Sequence, residues 1–387
     1  MPVTRGDRDG DSPMLVLVGG GHAHVQVLES MARSAWPRVR TMLVSPEPRQ
    51  AYSGMIPGYL QGTYAADEIA IDLPALCAAA GAEFRAARAE RVDATRRVVH
   101  TSAGPIPFTY AGLDVGSVPA GLGLPGVREN TLRPRPLHAA TALRGRLDEL
   151  AEDAGRGGRV HIGVVGAGAG GVEIALAAHR RIAEHGAVPR VVIFESGDRP
   201  LPDFPRRARS VLLRVFERRG IALLPEREVV AVDPGGIRLA TGELVKLDVA
   251  VWTTGAAPPP LLARSDLPLS GSGFFHVDET LRSLDGTPVW GAGDCIDLIG
   301  HDLPKAGVFA VRQAPVLAAN LRAALAGGEP QRYRPQRAFL SLLNTADGGA
   351  LLRWRGIALH NRPAWWLKDR IDRGFVERFA IERPRHS

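Results

Sequence analysis

The sequence predicts an α/β protein with two strand–glycine turn–helix–strand units and a C-terminal α+β region. Three observations carry this prediction. A glycine-rich turn follows an apolar run and precedes a helical pattern at residues 19–21. The same arrangement recurs at residues 166–171, a weak internal repeat. A short apolar run at 289–291 then leads into a third glycine pair. The chain has 387 residues, too many for one small core, which fits two or three domains. Its 44 glycines fall beside apolar runs, which marks tight turns and not disorder.

Taken in order, residues 1–13 are polar and lack an apolar core. They are expected to be a disordered leader and not a targeting peptide. Residues 14–18 form the first strand, a helical pattern runs to about Arg33, and 40–44 form the second strand. A Pro-rich stretch at 118–136 and a helix at 137–152 lead to the next unit. There 160–165 is a strand, 172–182 a helix and 190–195 a strand. Residues 206–219 read as a helix, 229–251 as strand hairpins, and 316–325 as a helix that stops at Gly327-Gly328. The expected division is one dinucleotide domain in two parts, 14–135 and 258–328, interrupted by a second at 136–257. Residues 329–387 form the C-terminal region.

The second turn reads Gly166-Ala167-Gly168-Ala169-Gly170-Gly171. In this G-x-G-x-x-G spacing Gly166 makes the tight turn, and Gly168 lets the backbone approach a pyrophosphate. Gly171 lets the helix pack on the strand, and the helix N-terminus favours the anion. The unit is therefore Rossmann-like. Glu195 ends the following strand, where a carboxylate accepts hydrogen bonds from ribose hydroxyls and repels a 2′-phosphate. NADH is expected over NADPH, with the nearby Arg199 as the feature that would admit NADPH. The first turn, Gly19-Gly20-Gly21-His22-Ala23-His24, has the first two glycines but a histidine at the third. Looser helix–strand packing is expected there, and Ser45 stands where an acidic residue would follow the second strand. His22 and His24 lack nearby carboxylate or cysteine ligands, so no metal site is expected. In Trp290-Gly291-Ala292-Gly293-Asp294-Cys295 the glycines permit backbone approach to a pyrophosphate, and Asp294 can accept from sugar-alcohol hydroxyls. Two further turns, around Gly116 and Gly255, follow apolar strands, where the chain can cross between domains beside the dinucleotides.

In this order the motifs resemble the pyridine nucleotide-disulfide oxidoreductase superfamily, from Met14 to about Leu325. The resemblance implies FAD on the first turn, at Gly19, Gly21, His22, Ala23 and Ser45, with the ribityl chain on Gly293-Asp294. It implies a nicotinamide dinucleotide on Gly166, Gly168 and Gly171, with the Gly116 and Gly255 turns beside the two. Within the superfamily the chain looks most like the branch of type II NADH dehydrogenases and sulfide:quinone reductases. It is more similar still to the FAD-dependent subfamily often fused ahead of selenide, water dikinase. The blocks that carry this are residues 19–24, Tyr52-Ser53-Gly54-Met55-Ile56-Pro57-Gly58, residues 305–313, residues 339–343 and residues 366–372. The sequence ends at Ser387, and no kinase portion is expected. Resemblance also places Glu173 near the nicotinamide and flavin, and Lys305-Ala306 beside the isoalloxazine and the acceptor. A positive charge at Lys305 would there stabilise an anionic reduced flavin.

Cys77 and Cys295 are the two cysteines, far apart and in no C-x-x-C or C-x-x-x-x-C pair. A thiol–disulfide relay is thereby excluded, and a reducing, cytoplasmic setting is expected. The expected activity is FAD-dependent oxidation of NADH, with electrons passed to a quinone or similar small-molecule acceptor. Reduction of a sulfur or selenium compound or of a protein partner stands as the alternative, as does a low-turnover flavin redox sensor. The formal net charge is +7, and residues 351–387 hold nine Lys/Arg against four Asp/Glu. The excess is thus local to the C-terminus, and no nucleic-acid partner is expected. Drawn as a helix, residues 364–380 put Leu367, Ile371, Phe375 and Phe379 on one stripe, with Trp365 and Val376 at its edge. A peripheral contact with the inner face of a membrane would suit this stripe. Asp372 beside Lys368 inside the apolar arc suits instead a protein surface, either the chain's own flavin domain or the second subunit of a homodimer.

Overall fold

The computed structural model describes residues 12–336 and 338–380. Residues 1–11 of the leader expected at 1–13, residue 337 and the end of the chain from 381 lie outside these residues.

Five parallel strands make the first sheet, in the order Val289–Gly291, Tyr110–Leu113, Met14–Val18, Arg40–Ser45, Glu83–Ala86. The central strand Met14–Val18 is apolar at every position, as a strand covered on both faces must be. The last strand in sequence joins the first sheet beside Tyr110–Leu113, so Gly293-Asp294 arrives next to the Gly19 turn. The second sheet runs Ala222–Leu224, Val188–Phe194, Arg159–Val165, Val249–Trp252, also parallel.

Residues 229–251 are only partly the expected hairpins. Val229–Asp233, Gly236–Leu239 and Leu244–Lys246 do form an antiparallel meander. Val249–Trp252 instead pairs parallel with Arg159–Val165. All four of its residues are buried, and a doubly covered run does not reveal its pairing direction in sequence. The Gly116 and Gly255 turns lie side by side, because Val118–Pro119 and Ala256–Ala257 pair antiparallel where the chain leaves and returns.

The helix expected from residue 316 begins earlier and spans Gly307–Ala326, with Pro315 inside it. A proline disfavours the turn before it, which is why the sequence suggests a later start. Buried Phe309, Ala310, Gln313 and Ala314 hold that turn against the rest of the protein. A three-stranded antiparallel sheet follows: Ser341–Asn344, Ala350–Trp354 and Ile357–Asn361. The C-terminal helix, Arg362–Glu377, is capped by the Asn361 side chain, which accepts from Ala364 N at 2.8 Å.

The expected apolar stripe of that helix is split. Phe375 and Phe379 point inward with Ala364, Lys368 and Asp372, while Leu367 and Ile371 face outward beside Trp366, which is 67% exposed. The charged pair therefore occupies the buried face and two leucine-class side chains do not. Burying Lys368 and Asp372 together satisfies both charges, whereas turning the helix to bury Leu367 would expose Phe375.

Candidate active site

The first glycine turn is shaped by Asp114, a residue the sequence reading passed over. A Cβ at Gly19, where φ is +92°, would lie 2.4 Å from Asp114 O, and one at Gly21 would lie 2.3 Å from the Asp114 carboxylate. Asp114 Oδ2 accepts from Ala23 N at 2.7 Å and His24 N at 3.1 Å, at the start of the His22–Arg33 helix. His24 does not loosen the packing as expected. Its Nδ1 lies 2.7 Å from Gly19 O, and the ring fits because the adjacent strand has Gly112, where a Cβ would come within 2.7 Å of Nε2. Ser45 turns into its own loop: its hydroxyl donates to Glu47 O at 3.0 Å and accepts from Glu47 N.

Gly293 and Asp294 complete this cradle. Gly293 N donates to Gln313 Oε1 at 2.7 Å, and a Cβ at Gly293 would lie 2.6 Å from Asp114 Oδ1. The Ser117 hydroxyl bonds Asp294, whose pKa is raised by burial against the opposing charges of Arg135 and Lys305. At Gly116 a Cβ would meet nothing within 4 Å, so the backbone there faces open space. Cys295 is buried in the same place and donates to Ala292 O, and burial pushes its thiol up to about 12. Cys77 is likewise buried and pushed to about 12. Neither thiol offers a thiolate near neutral pH.

Beyond the turn stands an aromatic wall. His22 meets Tyr52 at 5.3 Å and Phe375 at 5.7 Å between ring centroids, and Tyr52 meets Phe375 at 4.6 Å. Burial, with Arg135 adding to it, lowers His22 to about 4, so the ring is neutral. Among the described residues His22 Nε2 is buried without a hydrogen-bond partner. Ala306 caps the Gly307–Ala326 helix without a side-chain bond, and Gly307 abuts His22.

The ammonium of Lys305 is paired within the fold. Its Nζ donates to Asp297 Oδ1 at 2.6 Å and to Ile296 O, and lies 3.8 Å from the Phe274 ring centroid. Asp297, eight residues upstream on a short strand, neutralises it. A different buried cation stands behind the aromatic wall. Lys368 Nζ donates to Asp372 Oδ2 at 2.7 Å and to Gly54 O at 2.8 Å. Burial works against its charge, but Glu173 and Asp372 outweigh that and hold its pKa above the usual value. Tyr52 in turn bonds Asp372. Glu173 accepts from Asn344 N at 2.6 Å, and burial pushes its carboxyl up to about 7, opposed by Lys368 and that N–H. Glu173, Lys368, Asp372 and Tyr52 thus meet from three segments, Lys368 and Asp372 sharing the C-terminal helix.

The second turn matches its sequence spacing atom by atom. A Cβ at Gly166, where φ is +102°, would lie 2.8 Å from Thr253 O. One at Gly171 would lie 1.9 Å from Gly166 O and 2.7 Å from Thr253 Oγ1, so helix and strand are in contact. Gly168 and Gly255 face open space. The helix Ala169–Glu184 has Gly168 as its cap and no side-chain bond there, which leaves its first N–H groups to an anion. Glu195 Oε2 accepts from Ala167 N at 2.7 Å and Oε1 from Gly197 N at 2.8 Å. Arg199 pairs with Asp198 at 3.2 Å on the surface.

Two glycine turns, each feeding a helix from a parallel sheet and each with glycines where a Cβ would strike a neighbouring segment, define a two-unit Rossmann-like α/β protein. The chain belongs to the pyridine nucleotide-disulphide oxidoreductase family, whose model matches residues 13–314. Membership makes it an oxidoreductase that works with a flavin and a pyridine nucleotide. It is 26% identical to a demethylphylloquinone reductase of Synechocystis sp. over 93% of this chain and 91% of that one. An NADH dehydrogenase-like protein of Bacillus subtilis is 22% identical over 73% of this chain and 77% of its own length. Among solved structures, the sulfide:quinone oxidoreductase of Aquifex aeolicus superposes with a TM-score of 0.79 at 18% identity, covering 95% of this chain and 91% of that one. The NDH2 of Plasmodium falciparum in complex with NADH gives 0.76 at 15% identity, covering 95% and 97%.

Proposed function

We propose that the chain is an FAD-dependent NADH:quinone oxidoreductase that works without a cysteine relay. The observation that carries this reading is the buried Glu173–Lys368–Asp372–Tyr52 cluster behind the aromatic wall of the first turn. A quinone takes up two electrons and two protons, so its site needs a proton donor tuned near neutrality. Glu173, pushed to about 7, has that tuning. The two buried thiols, in contrast, offer no redox couple.

The first-turn cradle fits FAD. The backbone at Gly19, Gly21 and Gly293 is closed on its inner side by Asp114, while Gly116 is open toward the cleft. Asp294 would hold the ribityl hydroxyls, and the unpartnered His22 Nε2 beside Tyr52 and Phe375 would meet the ring system. Bound there, FAD supplies the capacity to take hydride from NADH and hand an electron pair to a second substrate. Gly166, Gly168 and Gly171 would hold the NADH pyrophosphate, with Glu195 at its ribose. Lys368 keeps the cluster charged on one side, and Glu173 holds a proton up to about neutral pH. The His22, Tyr52 and Phe375 rings pack on one another beside the cluster.

The membrane reading also finds support. Trp366, Leu367 and Ile371 lie exposed on the C-terminal helix, and Ile357 and Leu359 on the adjoining strand, among Arg355, Arg362 and Arg370. An apolar face with a basic rim suits a peripheral contact with anionic lipid, where quinones dissolve. Among the described residues no helix is long and apolar enough to cross a membrane. The decisive experiment reduces the purified yellow protein anaerobically with NADH and then mixes it with a soluble quinone. Rapid reoxidation of the flavin is expected. A colourless protein with no extractable FAD, or a reduced flavin that quinone leaves untouched, refutes the reading.

A further inference from the structure

We propose that FAD binding by this chain takes up one proton, held on the carboxyl of Asp114. The inference rests on the assignment of FAD to the first turn and goes beyond it. Asp114 is 3% exposed and sits where the three first-unit motifs converge. Its backbone carbonyl accepts from Gly21 N at 3.2 Å, and its carboxylate accepts from Ala23 N and His24 N. Its Oδ1 lies so close to Gly293 that a Cβ there would stand 2.6 Å away. The carboxylate therefore already occupies the helix N-terminus to which a G-x-G turn attracts a pyrophosphate. A diphosphate brought into the same turn puts a second anion beside it.

Like charges sharing a site cannot both remain ionised at low cost, and the weaker acid takes the proton. A diphosphate diester is a far stronger acid than a carboxyl, so the proton falls to Asp114. Among the described residues nothing nearby relieves the conflict by ion pairing. The titratable groups that face Asp114 are His24 on the helix and Asp294 and Cys295 on the returning turn. His24 is kept neutral, burial lowering it to about 4, and the Cys295 thiol stays protonated. Asp294 adds a further like charge. Among the described residues no Lys or Arg pairs with Asp114, and Arg135 acts instead on Asp294 and His22. Even before any ligand enters, burial pushes the Asp114 carboxyl up to about 7 against the two backbone N–H groups, with Asp294 adding to the rise. In the neutral form it gains an O–H donor, which a phosphate oxygen accepts and a second carboxylate would not provide.

The sign of the coupling follows. Where Asp114 is already protonated, below about pH 6, FAD binds without proton exchange. Above about pH 7 each FAD bound takes up close to one proton, and the FAD dissociation constant rises roughly tenfold per pH unit. Calorimetric titration of the full-length apoprotein with FAD, in two buffers of different ionisation enthalpy at about pH 6 and about pH 8, counts those protons directly. Asp114→Asn keeps the shape and a neutral amide. It is expected to bind FAD with no proton uptake and with an affinity flat across that range. Wild-type binding without uptake at the higher pH overturns the proposal, as does an Asp114→Asn protein that retains the full uptake. If the variant does not fold, infrared spectra of the wild-type yellow protein carrying isotope-labelled aspartate decide the matter. A protonated-carboxyl band at about pH 8 is expected, and its absence overturns the proposal. A wild-type chain that binds no FAD at either pH brings down the FAD assignment itself, a result distinct from FAD binding without protons.

Discussion

Glu173 and Glu195 both follow the same glycine turn in the sequence, yet their surroundings differ. Glu195 has both carboxylate oxygens on backbone N–H groups, from Ala167 and Gly197, so it shapes the turn. Glu195→Ala is expected to weaken NADH binding and narrow the preference for NADH over NADPH, read as the ratio of the two kcat/KM values. An unchanged ratio would show that it selects nothing. Glu173 is buried and pushed to about 7 by that burial. Its neutral form, the proposed proton donor, is therefore present below that pH and lost as pH rises through it. Quinone-driven reoxidation of the flavin should slow over this window. Glu173→Gln should slow it by about 100-fold and remove the pH dependence, with flavin reduction by NADH changed only a few-fold. Stopped-flow measurement of the two half-reactions separates these effects, and equal loss in both would show a general structural role. The position of Glu195 just after a strand was legible in the sequence. The environment of Glu173 was not, because the N–H it binds belongs to Asn344, 171 residues away.

At the level of the element, the C-terminal helix shows how a buried charge pair overrides an amphipathic pattern. The sequence stripe joined Leu367 and Ile371 to Phe375 and Phe379, but the folded helix buries Lys368 and Asp372 and leaves Leu367 and Ile371 out. Their spacing of four residues was visible as a pair that opposed membrane insertion. That it would rotate the helix was not, since the rotation depends on Gly54 O, Tyr52 and Glu173 from distant segments. Lys368→Ala leaves Asp372 and Glu173 buried without their cation, a loss of about 3–5 kcal/mol. A marked fall in Tm is expected, and the double variant Lys368→Met, Asp372→Leu should recover much of it. A single variant as stable as the wild type would show that the pair is solvated in solution.

For the whole molecule, the outward face of that helix is the feature left unused by the fold. Replacing Trp366, Leu367 and Ile371 together by serine should abolish flotation with anionic vesicles at low salt and leave Tm and bound flavin unchanged, because these side chains are exposed. A wild-type protein that ignores such vesicles removes the membrane reading. Truncation before the helix is a different matter. It takes Phe375 from His22 and Tyr52, so loss of flavin and of solubility is expected. The sequence by itself determined the two strand–glycine turn–helix units and the wide separation of the two cysteines. A glycine that a turn cannot do without, or a cysteine with no near neighbour, is a local fact of a few residues. Tertiary structure decided the return of Val289–Gly291 to the first sheet, the pairing of Lys305 with Asp297, and Asp114 at a helix start 91 residues away. It also assembled the Glu173–Lys368–Asp372 cluster. A charge takes its pKa and its role from what is packed against it, and those neighbours are set by long-range folding and not by spacing along the chain.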